Sequence, residues 1–169
     1  MKDIIVTSAG RLRYGGHDYR CALGRSGCLP EADKREGDGA TPLGVYPLRR
    51  VLYRSDRLPA PATRLPCRPL DPQDGWCDDP LHADYNRQIR LPHPAGHEKL
   101  WREEAVYDVI VVLGHNDAPP VPGLGSAIFM HVARPGYTPT EGCVALALPD
   151  LLALLADLPA QARLQIIAP

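Results

Sequence analysis

Proline and glycine interrupt this chain too often for it to fold around long helices. Nineteen prolines and fifteen glycines are spread along 169 residues. Each proline removes a backbone donor and fixes φ, and glycine favours turns. Short strands joined by many turns are what such a sequence can build. The extreme stretch is 54–73, where Pro59, Pro61, Pro66, Pro69 and Pro72 mix with Arg54, Arg57, Arg64 and Arg68. It reads either as a surface loop or as a flap whose arginines meet substrate carboxylates.

Between the interruptions the pattern is mostly that of strands. Residues 4–8 are rich in β-branched side chains, and 11–14 and 18–23 flank Gly15-Gly16, a pair suited to a tight hairpin. Residues 24–39 read as a loop and 44–53 as a strand. Residues 98–105 suggest one short helix, and 106–113 a buried strand. Leu151, Leu154, Leu155 and Leu158 recur at helical spacing, with Pro149 in the first turn and Pro159 ending the run. Residues 163–168 read as a closing strand. The expectation is a single domain over residues 1–169, mainly β with short helices (α+β), and a length that supports one real core.

A formal net charge of −1 gives no reason to expect nucleic-acid binding or a polybasic membrane patch. No apolar run approaches the roughly 20 residues of a membrane span. The opening Met-Lys-Asp-Ile-Ile-Val lacks the apolar core and cleavage site of a signal peptide. The five cysteines are Cys21, Cys28, Cys67, Cys77 and Cys143. An odd number leaves at least one thiol free, and Cys143 is the choice for it. The other four are either bridged, in one of three pairings, or reduced and buried.

The segment 125–132 is strand-like and delivers His131. Twelve positions later, Gly142-Cys143 stands just before the leucine-rich helix. A thiol attacks only as thiolate and needs a neighbouring base near neutral pH. Cys143 as nucleophile and His131 as general acid and base therefore form the first candidate pair. Small Gly142 lets backbone amides approach a developing oxyanion, so the amides of Gly142 and Cys143 are the expected oxyanion hole. His115 follows the buried strand 106–113 and is either a pocket residue or a turn histidine capping Asn116 or Asp117. His82, with Asp84 and Tyr85, is a second candidate pocket group. Arg134 is placed to meet a substrate carboxylate or lies on the surface. The histidines show no recognised metal-ligand spacing, so neither metal nor other cofactor is expected.

Three blocks in order carry a family resemblance: Lys34 to Tyr46 with its Thr41-Pro42-Leu43-Gly44 core, Gly125 to His131, and Thr140-Glu141-Gly142-Cys143. The chain resembles the L,D-transpeptidase catalytic domain, the YkuD or ErfK/YbiS type, as a divergent branch. The resemblance implies a β-sandwich or barrel-like catalytic fold and a Cys143 thioester. It also implies peptidoglycan stem peptides as partners, a periplasmic location and covalent inhibition by carbapenems. It implies a backbone carbonyl after His131, from Val132 or Ala133, to orient the imidazole. The donor is the third stem residue, diaminopimelate, or the first, L-Ala. The alternatives are an L,D-carboxypeptidase or endopeptidase cutting the same bonds, and a non-catalytic peptidoglycan-binding domain. The chain departs from the family pattern at Glu141, where a histidine is usual, at Val144-Ala145-Leu146, where a polar anchor is usual, and in its short histidine-to-cysteine loop.

Overall fold

The structure, a computed structural model, describes residues 2–169. Its strands in chain order are β1 (Ile4–Thr7), β2 (Arg11–Tyr14), β3 (His17–Arg20), β4 (Cys28–Leu29), β5 (Thr41–Pro42), β6 (Gly44–Tyr53) and β7 (Cys67–Pro69). They continue with β8 (Asp74–Cys77), β9 (Gln88–Arg90), β10 (His97–Lys99), β11 (Val109–Leu113), β12 (Phe129–Val132), β13 (Val144–Leu146) and β14 (Arg163–Ile167). One α-helix, α1 (Leu148–Asp157), precedes β14. The main sheet runs β13-β12-β11-β6-β14-β1-β2-β3, with β7 added beside β6. Ala22, just past β3, exchanges two backbone hydrogen bonds with Ala145 in β13, at 2.8 and 2.9 Å. The sheet thus curls until its ends meet, which removes most of its exposed edge. This is the mainly β, barrel-like architecture expected.

Two faces of this sheet are buried, and the site lies on the second. Val109, Val111, Met130, Val132, Val144 and Leu146 point inward, where Leu151, Leu154 and Leu155 of α1, with Leu158 just past its end, complete the larger core. The alternate residues Ile110, Val112 and Phe129, with Cys143, point outward into a smaller core with Trp76, Leu100 and Tyr107. A three-stranded sheet, β10-β8-β9, supplies this outer cover. Burial on both sides explains why 109–113 reads as an unbroken apolar run rather than an alternating one.

Several local expectations change. Residues 98–105 form no α-helix: Lys99 pairs with Gly75 and Glu98 with Trp76 in a sheet, and a 3₁₀ turn follows at Ala105–Tyr107. That pairing is non-local, so no helical periodicity in the segment reports it. Cys143 immediately precedes strand β13, and the helix begins only at Leu148. Three of the four arginines of 54–73 hold their own loop down rather than arming a flap. Arg54 pairs with Asp56 at 2.8 Å and lies over the Trp101 ring, and Arg57 pairs with Asp108 at 2.7 Å. Arg64 donates to the carbonyls of Ala156 and Leu158 at the end of α1. All five cysteines are free thiols. No helix among the described residues is long and apolar enough to cross a membrane.

Candidate active site

Parallel pairing of β12 with β13 sets the two candidate side chains, His131 and Cys143, on one face. Met130 is level with Val144 and His131 with Ala145, so Cys143 and His131 stand one pleat apart. Both line a cavity of about 310 Å³.

The turn before the cysteine is fixed by Thr140. Its Oγ1 accepts from the Gly142 amide at 3.1 Å and donates to the Cys143 carbonyl at 2.7 Å. Gly142 has φ +137, and a Cβ there would sit 2.7 Å from the Ala40 carbonyl oxygen, so both conformation and space demand glycine. The Gly142 amide expected at an oxyanion hole is thus already committed to Thr140. The Cys143 amide makes no hydrogen bond among the described residues.

His131 is 5% exposed, and its Nδ1 donates to the Val132 carbonyl at 2.9 Å. That bond fixes the neutral tautomer, leaving Nε2 as a lone-pair acceptor. The Tyr107 ring packs edge-on against the imidazole, with centroids 5.4 Å apart. Nε2 has no protein hydrogen-bond partner among the described residues.

The thiol is held by backbone instead of by the histidine. Cys143 Sγ donates to the Ala127 carbonyl at 3.3 Å and accepts from the Phe129 amide at 3.4 Å. Burial pushes the thiol up to about 12. The Phe129 amide, Arg102 and Lys34 pull it down, and Glu98 pushes it further up. Burial also holds His131 down to about 4, against its bond to Val132. At neutral pH the pair is a thiol beside a neutral imidazole, able to pass a proton as the sulfur attacks.

Charged groups reach the cavity from segments far apart in sequence. Glu36, Asp78 and Glu98 line it, as do Lys34, Arg102 and Arg134. Lys34, 3% exposed, pairs with Asp38 at 2.7 Å. Glu98 accepts from the Tyr107 hydroxyl at 2.9 Å and pairs with Arg102 at 3.4 Å. Burial lifts its carboxyl above the usual range. Arg134 does line the cavity, but its guanidinium is held by Glu104 at 3.3 Å.

The other expected pocket residues fall elsewhere. His115 is buried outside the cavity, edge-on to Tyr46 and beneath Gly125, and its Nδ1 has no partner among the described residues. His82 sits in a peripheral cluster with Asp84 and His93. There the ring nitrogens His82 Nδ1 and His93 Nδ1 accept the backbone amides of Asp84 and Ala95, and His93 Nε2 lies 2.9 Å from Asp84. Tyr85 is buried behind the cavity wall and donates to Glu36 at 2.7 Å. The acidic wall escaped the sequence reading because Glu36, Asp78 and Glu98 lie in three separate segments with no shared spacing.

Residues 3–166 match the model of the YkuD family, the L,D-transpeptidase catalytic domain. The chain belongs to this family. Comparisons with curated proteins and with solved structures return no match. As an L,D-transpeptidase catalytic domain, the chain falls in a class that modifies peptidoglycan, acts on its stem peptides and depends on cysteine. Glu141, the departure beside Cys143, lines the cavity at its exposed side and pairs with Arg25 at 3.0 Å. Its side chain is 78% exposed, so water screens its effect on the thiol.

Proposed function

We propose that this protein is a peptidoglycan L,D-transpeptidase that works through a Cys143 thioester. The observation that carries the reading is His131: buried, fixed through Nδ1 by Val132, with Nε2 free in the cavity that Cys143 lines. The Cys143 thiol turns from the Ala127 carbonyl and gives its proton to His131 Nε2 as sulfur attacks the stem carbonyl. The Cys143 amide stabilises the oxyanion. The intermediate collapses, the C–N bond breaks, and His131 protonates the departing amine. A second stem's amine then attacks the thioester, forming the cross-link and returning the thiol. With water in place of that amine, the same acyl-enzyme gives carboxypeptidase or endopeptidase products.

The donor is the third stem residue, diaminopimelate, or the first, L-Ala, since each precedes a D-residue. The replaced anchor at Val144-Ala145-Leu146, buried in β13, keeps the second in view. Peptidoglycan as substrate supports a periplasmic site of action, and the thiol supports acylation by carbapenems. Incubation with peptidoglycan, followed by chromatography and mass spectrometry of the muropeptides, tests the reading. Cross-linked dimers formed by wild type and absent with Cys143→Ala support it. Shortened stems without dimers assign hydrolysis, and unchanged muropeptides favour a binding domain.

A further inference from the structure

The cavity wall carries negative charge that the chemistry of Cys143 does not want. Glu98 raises the thiol further above its ordinary range, and anions near a cysteine oppose the thiolate that must form. Arg102 and Lys34 pull the thiol the other way, but every cation in the cavity is already paired with an acid. Lys34 is taken by Asp38, Arg102 by Glu98 and Glu104, and Arg134 by Glu104. Arg102 also lies over the Tyr107 ring, 4.5 Å from its centroid.

Glu36 and Asp78 have no cationic partner among the described residues, yet Glu36 is rigidly placed. Its Oε1 accepts both the Tyr85 hydroxyl at 2.7 Å and the Ser126 hydroxyl at 2.5 Å. The Tyr85 oxygen in turn accepts the Gly125 amide at 3.0 Å. Two hydroxyls on one oxygen fix the carboxylate and leave Oε2 for something else. Asp78 lines the same cavity as Glu36, and its carboxyl is raised by burial and next by the charge of Glu36. A second observation points to a ligand in the same space. His131, nine-tenths buried, presents Nε2 to this cavity with no protein partner among the described residues.

We propose that Glu36 and Asp78 form the subsite that binds the attacking amine as its ammonium, beside the Cys143 thioester. The inference rests on the transpeptidase reading above and adds to it the residues that select the acceptor. A charge-assisted bond to a preorganised carboxylate favours an ammonium over water in a cavity both can enter. The bound ammonium loses one proton to solvent. Its nitrogen forms the new amide bond to the thioester carbon, the C–S bond breaks, and a second proton passes through His131 to the Cys143 sulfur.

The test measures acylation and transfer separately in wild type, Glu36→Gln and Asp78→Asn. A stem tetrapeptide is the donor, and free diaminopimelate, at varied concentration, is the acceptor. The acyl-enzyme is followed by intact-protein mass. The proposal expects both variants to acylate, with the KM for diaminopimelate raised about tenfold, as for one lost charge-assisted bond, and hydrolysis gaining on transfer. With hydroxylamine, uncharged at neutral pH, the variants should match wild type. An acyl-enzyme with unchanged acceptor KM overturns the proposal alone. Equal losses with diaminopimelate and hydroxylamine also overturn it, as a structural effect. Transfer abolished by a chelator overturns it in favour of a divalent cation. Absence of any wild-type acyl-enzyme overturns the transpeptidase reading, and the proposal with it.

Discussion

The Cys143 thiol donates to the carbonyl of Ala127 at 3.3 Å, and Ala127 holds a left-handed φ of +54. An alanine in that conformation needs outside support. Asn86 supplies it. Its Oδ1 accepts the Ala127 amide and the Trp76 indole N–H, each at 3.0 Å, and its Nδ2 donates to the His115 and Asn116 carbonyls. One buried amide therefore ties the loop under the thiol to the outer sheet.

Asn86→Ala removes all four bonds and strands two buried donors. The expected cost is roughly 3 kcal/mol or more, read as a lower midpoint in urea. Acylation of Cys143 should slow under conditions where the variant is still folded. Asn86→Asp keeps both accepted bonds but faces two carbonyls with oxygen, and should also destabilise.

Gly142→Ala should disable the site by a different route. At φ +137, with the Ala40 oxygen 2.7 Å from the new Cβ, the turn must shift. The expected penalty is about 1–3 kcal/mol. The thioester should fail to form at temperatures well below the unfolding midpoint, as intact-protein mass would show.

Thiol reactivity follows from the buried, neutral pair. With Cys143 pushed up to about 12, alkylation by iodoacetamide should be slow at pH 7 and climb steadily on the alkaline side. Glu98→Gln removes one of the charges that raise the thiol, so its rate should exceed wild type severalfold at a given pH. Acyl transfer needs neutral His131, so activity should hold through neutral pH and fall as pH drops through about 4. His131→Gln should lack transfer at every pH.

Acid stability should report the two buried histidines. His115 and His131 are both held down to about 4 by burial, while an unfolded histidine titrates near 6.5. The unfolded chain therefore takes protons that the folded chain refuses. Their contribution is intact above about 6.5 and is lost as pH falls toward 4, at about 1.4 kcal/mol per pH unit per histidine. His115→Leu removes an unpartnered buried nitrogen and should flatten that slope, measured as denaturation midpoint against pH.

What sequence made legible was local. The Gly15-Gly16 hairpin, strand 44–53 and the leucine face of α1 each depend on near neighbours, and each stands where it was expected. Cys143 and His131 were legible because a short loop returns β13 beside β12. The rest needed distant pairing. Glu98 and Lys99 are drawn into a sheet with β8, Glu36 is fixed by Tyr85 and Ser126, and His115 is turned inward under Gly125. No spacing along the chain encodes such contacts.

The central claim is a thioester on Cys143 formed with help from His131. The most direct measurement is intact-protein mass after mixing with a disaccharide tetrapeptide, followed by digestion to locate the adduct. The account predicts one acyl adduct, mapped to Cys143 and absent in Cys143→Ala and His131→Gln. Its mass would equal the donor less D-Ala if the third residue is the donor, or the acyl fragment ending in L-Ala if the first is. Cross-linked product formed by Cys143→Ala, or an adduct on any other residue, would contradict it.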